Sequence, residues 1–411
     1  MSEATAPRSP GDRRIRRRRV LFISGFDPRG ARHYHELWRG EAAKAAASAS
    51  NRTDYALGGR KSAGPLLVEW TMTGKNLIDG QDVVTESRFG FLRWDDVARV
   101  MWPKADWSFV FETARTLLRG SWIGYFRRIY RVRPVYLLTI MQPVAILSLV
   151  LLGLPLIACA VLAAILAFTP LPAIAVLAGI PLGLLGVPRV LAFIERTGSV
   201  LWRGQLVNFY CRQIYHEAAP LETRMDQMAD LIADEAARGD CDEFLVIGHS
   251  VGTTVAISAL GRALRRRRSD FDGLSRIGFV TLGAMTPLLA VEPRCTWFRD
   301  EIAAIALDPA VTWIDACAGA DVVCFPMVDP LTLAGHERAA GERVSPLLTS
   351  PRFHKLFDAD RYAVLKRDLG LMHTLYLMAT QRQGRCDFFA LCAGPLALAD
   401  RFPETAPRKR R

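Results

Sequence analysis

A chain of 411 residues, half of them apolar, has room for a large core and more than one structural unit. Its formal net charge of +12 is gathered in basic clusters at 13–14, 16–19, 265–268 and 408–411, all arginine except Lys409, and no DNA- or RNA-binding motif accompanies them. The partner expected for such clusters is therefore an anionic membrane surface and not a nucleic acid. The eight cysteines, with no Cys-x-x-Cys spacing, read as scattered reduced thiols. The first apolar run, at 20–23, is too short for a secretory signal, so the membrane signal is expected to be internal.

In chain order, residues 1–18 read as a disordered basic tail. Residues 19–24 form a short buried strand that ends at Gly25 and Phe26 and opens into a loop with Asp27, Pro28 and Gly30. Residues 66–72 read as a second strand, and Gly58 and Gly59 as a turn. A membrane module is expected over 94–204. From Pro134 to Pro188 there is no charged side chain, and a membrane-crossing helix needs about 20 apolar residues, so two passes are predicted at 144–168 and 171–191.

Thr169, Pro170, Leu171 and Pro172 would form the reversal between the two passes. Pro143, Pro155 and Pro181 would kink or delimit them, and Gly179 with Gly183 is a small-xxx-small pair able to pack the hairpin. Arginines 119, 127, 128, 131 and 133 on one flank and 189, 196 and 203 on the other place both ends in the cytoplasm by the positive-inside bias. Trp107, Trp122, Tyr125, Phe126, Tyr130 and Tyr136 are expected at headgroup level. A buried hydrophobic pair, a lid lying on the soluble part, or a shallow re-entrant hairpin would use the same composition.

Beyond the module, 221–237 reads as an amphipathic helix with Met225, Met228, Leu231 and Ile232 on one face. An apolar strand at 244–248 runs into Gly248-His249-Ser250-Val251-Gly252 and then into a helical stretch at 251–264. A strand that must become a helix within a few residues forces the middle residue into a strained backbone and lifts its side chain above the sheet edge. Glycines flank it where side chains would collide with the neighbouring strand and helix. The bland alternative is a tight turn with a surface serine. Arg265–Arg268 either adds to the membrane-seeking charge or merely opposes the dipole of that helix. Strands at 277–282 and 311–316 follow, and short apolar strands alternating with helices imply an α/β fold with a mostly parallel sheet covered on both faces.

On the Gly248 to Gly252 pentapeptide, between its strand and helix, the chain resembles the α/β-hydrolases of the serine esterase or lipase type, with a transmembrane hairpin inserted before the nucleophile strand. The hydrolase part would be split into 19–93 and 205–400, followed by a basic tail at 401–411. The resemblance implies Ser250 as nucleophile, with acid and base following it in the order serine, acid, histidine. Asp321, in Gly319-Ala320-Asp321-Val322-Val323, is similar to the family's acid after its penultimate strand, with Asp315 and Asp329 as alternatives. His373, read as opening the last helix, is the expected base, and His354 the alternative, ahead of His336. The oxyanion would be held by the N–H groups of Val251 and Phe26. His33 and His35 are expected to face solvent, and no metal or cofactor is implied. The expected function is a membrane-anchored serine hydrolase that cleaves hydrophobic, lipid or thioester substrates at the cytoplasmic face. A non-catalytic membrane scaffold and a soluble hydrolase with a hydrophobic lid are the rival readings.

Overall fold

The structure, a computed structural model, describes residues 14–47, 53–78, 81–166, 173–198, 200–337 and 344–405. The tail at 406–411 and the expected reversal at Thr169–Pro172 lie outside them. In chain order the elements used below begin with β1 (Arg17–Ile23), α1 (Gly30–Ala47), β2 (Thr53–Leu57), β3 (Lys61–Ser62), β4 (Leu67–Ile78) and β5 (Gln81–Leu92). A helical stretch follows: α2 (Trp107–Trp122), α3 (Tyr125–Val132), α4 (Pro134–Ile165), α5 (Ala173–Gly198), α6 (Val200–Ile214) and α7 (Ala219–Ala237). The rest comprises β6 (Glu243–His249), α8 (Gly252–Arg267), β7 (Ile277–Leu282), α9 (Thr296–Ala306), β8 (Val311–Ala316), β9 (Leu347–Thr349), α10 (Leu369–Thr374) and α11 (Phe388–Ala393).

The chain divides into two compact units. One takes the chain up to Asp96, Pro220–Ala290 and everything from Cys295 onward; the other takes Val97–Ala219 with Val291–Arg294. The helical unit thus runs past the boundary expected at 204 and includes all of α6.

The first unit is an α/β structure on one mixed sheet in the order β2-β4-β5-β1-β6-β7-β8-β9, with β3 beside β4. From β5 through β9 every pairing is parallel, and β2, β3 and β4 join antiparallel at one end. β6, β7 and β8 are buried at every position, as strands covered on both faces must be. One face packs Val20, Phe22, Leu245, Ile247, Val280 and Leu282 against Trp38 of α1 and Phe388 of α11. The opposite face carries α8: a Cβ at Gly248 would lie 2.9 Å from Ala256 Cβ.

Four strands escape the sequence reading: β2, β3, β5 and β9. β5 shows why. Its inward positions include Thr85 and Ser87, which are buried because their hydroxyls donate to the carbonyls of Ile15 and Cys392, and this blurs the period-two apolar signal.

The arginine clusters also need correction. Arg17 and Arg18 belong to β1, together with Arg19, and not to a disordered tail; Arg18 pairs with Glu243 at 2.7 Å and Arg19 with Glu235 at 2.6 Å, all four buried. Arg265–Arg268 meet Asp300, Asp226, Asp234 and Asp308 respectively, so that cluster is balanced within the protein and not left for a membrane.

The second unit is helical. α4 and α5 are long and apolar enough to cross a membrane, and the most apolar window of each is only 11% and 28% buried. They lie in backbone contact: a Cβ at Gly179 would stand 2.7 Å from Cys159 Cα, and one at Gly183 2.4 Å from Pro155 Cα. Pro143, Pro155 and Pro181 lie inside the helices and do not delimit them. Around the base, Phe109 and Val110 of α2 join Leu147 and Val150 of α4, Val187 and Leu191 of α5 and Leu201 of α6 in one cluster, flanked by Ala105, Trp107, Leu154 and Leu184. Tyr125 and Tyr136, expected among headgroups, are buried, whereas Trp122 is 90% exposed.

Candidate active site

β6 is hydrogen-bonded between β1 and β7 and ends at His249, so the next residue stands at the carboxyl edge of the sheet, where open α/β sheets place their ligands. That residue, Ser250, has φ +58°, a left-handed conformation that costs a non-glycine residue about 1–3 kcal/mol. The surroundings hold it there. The Ser250 N–H donates to Leu282 O at 2.9 Å, and Ser250 O accepts from the Thr253 N–H and hydroxyl at 2.9 and 2.6 Å. A Cβ at Gly252 would fall 2.2 Å from Ser24 O, and one at Gly248 2.8 Å from Gly252 O, so only glycine permits the bend.

Ser250, Asp321 and His373 come together although no two are neighbours in sequence. Ser250 Oγ lies 2.7 Å from His373 Nε2, and His373 Nδ1 lies 2.7 Å from Asp321 Oδ2. All three are buried, at 3%, 1% and 5% exposure. Asp321 occupies the loop after β8. Its Oδ1 accepts from the Val323 N–H at 3.0 Å and its Oδ2 from the Tyr376 hydroxyl at 3.0 Å, while that hydroxyl accepts from the Ala318 N–H at 2.8 Å. Burial pushes the Asp321 carboxyl up, but the neighbouring His373 and the hydrogen bonds from His373 and Val323 outweigh it and leave the group at about 2. An ionised Asp321 selects the His373 tautomer that donates from Nδ1 and presents Nε2 to accept the Ser250 proton.

His373 does not open the last helix. It lies near the end of the short α10, and α11 follows it. His354, the alternative base, is an exposed residue of a 3-10 turn with its ring 6.3 Å from that of Tyr362, and His336 is exposed as well. Asp329 caps a short helix by accepting from the Leu331 N–H. Asp315 is buried in β8, where it accepts from the Cys317 thiol at 3.2 Å, and burial pushes its carboxyl up to about 7. Neither alternative acid makes a hydrogen bond to His373 among the described residues.

On the far side of Ser250, the loop after β1 comes close: a Cβ at Gly25 would lie 3.0 Å from Ser250 Cβ and 3.4 Å from its Oγ. Trp94 Nε1 donates to Ser24 O at 3.0 Å, and Asp27 accepts from Arg29 at 2.7 Å and from the Tyr34 hydroxyl at 3.1 Å, so this loop is tied down next to the serine. Phe26 packs its ring 6.1 Å from that of Trp94, and Val251 is the residue just before α8. His35 departs from expectation: it is buried, with Nε2 2.9 Å from Gly58 O, while His33 is half-buried.

Two residues of the site were given no role by the sequence reading. Tyr376 orients the acid, as described. His249, the residue before Ser250, has Nε2 2.9 Å from the His373 carbonyl oxygen and its ring 5.2 Å from the His373 ring. Burial above all, and the adjacent His373, push His249 down to about 3, so it is a neutral ring that donates from Nε2. Its Nδ1 is buried and has no partner among the described residues. An aromatic three residues after His373 and a ring beside Ser250 were visible as residue types, but nothing in their spacing assigns them these contacts. Among the described residues, no group of histidine, cysteine and carboxylate side chains gathers as metal ligands.

No family model, curated protein or solved structure matches this chain.

Proposed function

We propose that this protein is a membrane-anchored serine hydrolase of the α/β-hydrolase type, cleaving ester or thioester bonds of hydrophobic acyl substrates through an acyl-enzyme. The observation that carries the reading is the continuous hydrogen-bonded chain from Ser250 Oγ through His373 to Asp321, buried at the carboxyl edge of a mostly parallel sheet. Ser250 Oγ attacks the carbonyl carbon as its proton passes to His373 Nε2. The tetrahedral intermediate then collapses, and the leaving alcohol or thiol takes that proton. A water molecule repeats the sequence on the acyl-serine and releases the acid.

In this reading the Val251 N–H at the start of α8 and the Phe26 N–H beside Gly25 hold the oxyanion; one such donor is worth about 10²–10³ in rate. Anchoring by α4 and α5 puts the site within reach of lipid-borne substrates, and the arginines that flank the hairpin favour the cytoplasmic face.

The test is labelling by a fluorophosphonate probe, read by peptide mass spectrometry. The modified residue should be Ser250, with no labelling in Ser250→Ala and a loss of roughly 10²–10⁴-fold in labelling rate in His373→Ala, the scale of general-base assistance. Undiminished labelling of His373→Ala, or labelling at another serine, overturns the assignment.

A further inference from the structure

We infer that the helical unit carries a site for one anionic phospholipid, with the phosphate held by Lys104, Arg115 and Arg212 and the acyl chains laid against the open face of α2. The inference rests on the membrane-anchored part of the proposed function and not on the chemistry at Ser250. It starts from a cavity of about 530 Å³ lined by the chain just ahead of α2, by α2 itself and by α6. That volume falls in the range of small-molecule sites, about 300–1,000 Å³.

Three cations and one carboxylate line the cavity: Lys104, Arg115 and Arg212 against Glu112. Arg212 takes Glu112 at 2.5 Å. Arg115 shares Glu217 with Arg119, so one carboxylate there answers two guanidinium groups, and Arg115 stays half exposed. Lys104 is exposed and pairs with no carboxylate among the described residues; Asp106, two positions on, accepts from the Ser108 N–H and hydroxyl instead. A surplus of positive charge converging on one cavity suits a phosphate, whose oxygens accept from guanidinium and ammonium groups alike.

The rest of the wall distinguishes a lipid phosphate from a free one. Val100, Phe109 and Phe111 line the same cavity. Phe111, 69% exposed, begins a stripe along α2 that continues through Leu118 and Trp122, 74% and 90% exposed. Spaced by seven and four residues, the three lie within about 40° of one line on the helix, and Arg115 stands among them. The opposite face of α2, with Phe109, Val110, Thr113 and Thr116, is the buried one. A phosphate ion in the cavity would leave the stripe uncovered, whereas the chains of a phospholipid cover it. Phe109 also ties the cavity to the hairpin, for it joins Leu147 of α4 and Val187 of α5 in the apolar cluster at their base. An anchor through α4 and α5 therefore brings lipid to the wall of the cavity.

The experiment uses the full-length protein in nonionic detergent micelles, with bound lipid counted by native mass spectrometry after addition of dioleoyl phosphatidylglycerol or dioleoyl phosphatidylcholine at equal concentration. The inference expects one phosphatidylglycerol to be retained at least about tenfold in preference to phosphatidylcholine, and that preference to fall about fivefold in Lys104→Ala and again in Lys104→Ala/Arg115→Gln, the weight of one cation facing an anionic lipid. Lys104→Arg should restore the native preference, which a lost fold could not do. Equal retention of the two lipids, or an unchanged preference in the double variant, overturns the site. Displacement of the phosphatidylglycerol by inorganic phosphate at the same concentration assigns the cavity to a soluble phosphate and overturns the lipid. Neither outcome touches fluorophosphonate labelling or retention through alkaline carbonate, so failure of this site is distinct from failure of Ser250 as nucleophile or of the hairpin as anchor.

Discussion

Ser250 is held in a conformation its own side chain resists, and its hydroxyl is nevertheless spent on a single neighbour, His373 Nε2. Removing the side chain should therefore separate strain from chemistry. Ser250→Gly and Ser250→Ala should both abolish fluorophosphonate labelling, but Ser250→Gly should melt higher than Ser250→Ala by roughly 1 kcal/mol, because glycine adopts a positive φ without penalty; equal melting temperatures would mean the bend is not strained. Asp321 predicts an acid limb. Its folded value, about 2, lies below the ordinary carboxylate value of about 3.9, so its contribution to stability is present above the ordinary value and is lost as pH falls towards 2. Asp321→Asn should flatten the melting temperature over that window. Asp315 has the opposite sign: burial raises it to about 7, so its contribution is present at low pH and fades as pH rises through 7. Asp315→Asn should gain stability relative to the native chain as pH rises from about 4 to 7, measured by thermal melts; a loss over that interval would count against the raised value.

At the scale of elements, the bend between β6 and α8 is fixed by how closely backbone passes backbone. A methyl group at Gly252 meets the carbonyl oxygens of both Ser24 and Ile23, at 2.2 and 2.5 Å, neither of which can swing away. Gly252→Ala should destabilise the protein by at least about 3 kcal/mol, the upper end of overpacking effects, read as the shift in the urea midpoint. The same bend explains why part of the site was legible. Glycine-serine-glycine between an apolar strand and a helix is local information, and so are the matching bounds of β7 and β8. The order of acid and base after the serine came from resemblance alone, and residue types then narrowed it to Asp321 and His373. What was not legible is long-range: that His249 clamps the His373 carbonyl, and that polar Thr85 and Ser87 belong inside because carbonyls of Ile15 and Cys392 wait for them. Burial of His35 against Gly58 O belongs to the same class.

For the molecule as a whole, the charge reading changed most. The arginine clusters at 16–19 and 265–268 looked like a membrane-seeking surface, yet Arg18, Arg19 and Arg265–Arg268 are taken up by carboxylates that lie far away along the chain or on neighbouring helices. In the proposed reading, attachment then falls to the hairpin. The protein should stay with the membrane pellet through alkaline carbonate, and Ile157→Arg, which puts a charge on an exposed position of α4, should weaken retention, since arginine at mid-bilayer costs about 3 kcal/mol. Complete release of the native chain by carbonate alone would remove the anchor.

β1 lies between β5 and β6, and its register with β6 pairs Phe22 with Ile247 across the entire helical unit. A ribosome therefore delivers β1 to β5 first, then the greasy pair, and only afterwards the strand that fills the open side of β1. Until β6 arrives, a growing chain carries an unpaired sheet edge and no serine at its tip. In the proposed reading, the Ser250 site is thus completed only after the hairpin has become available to lipid, so that a finished copy would be born already docked.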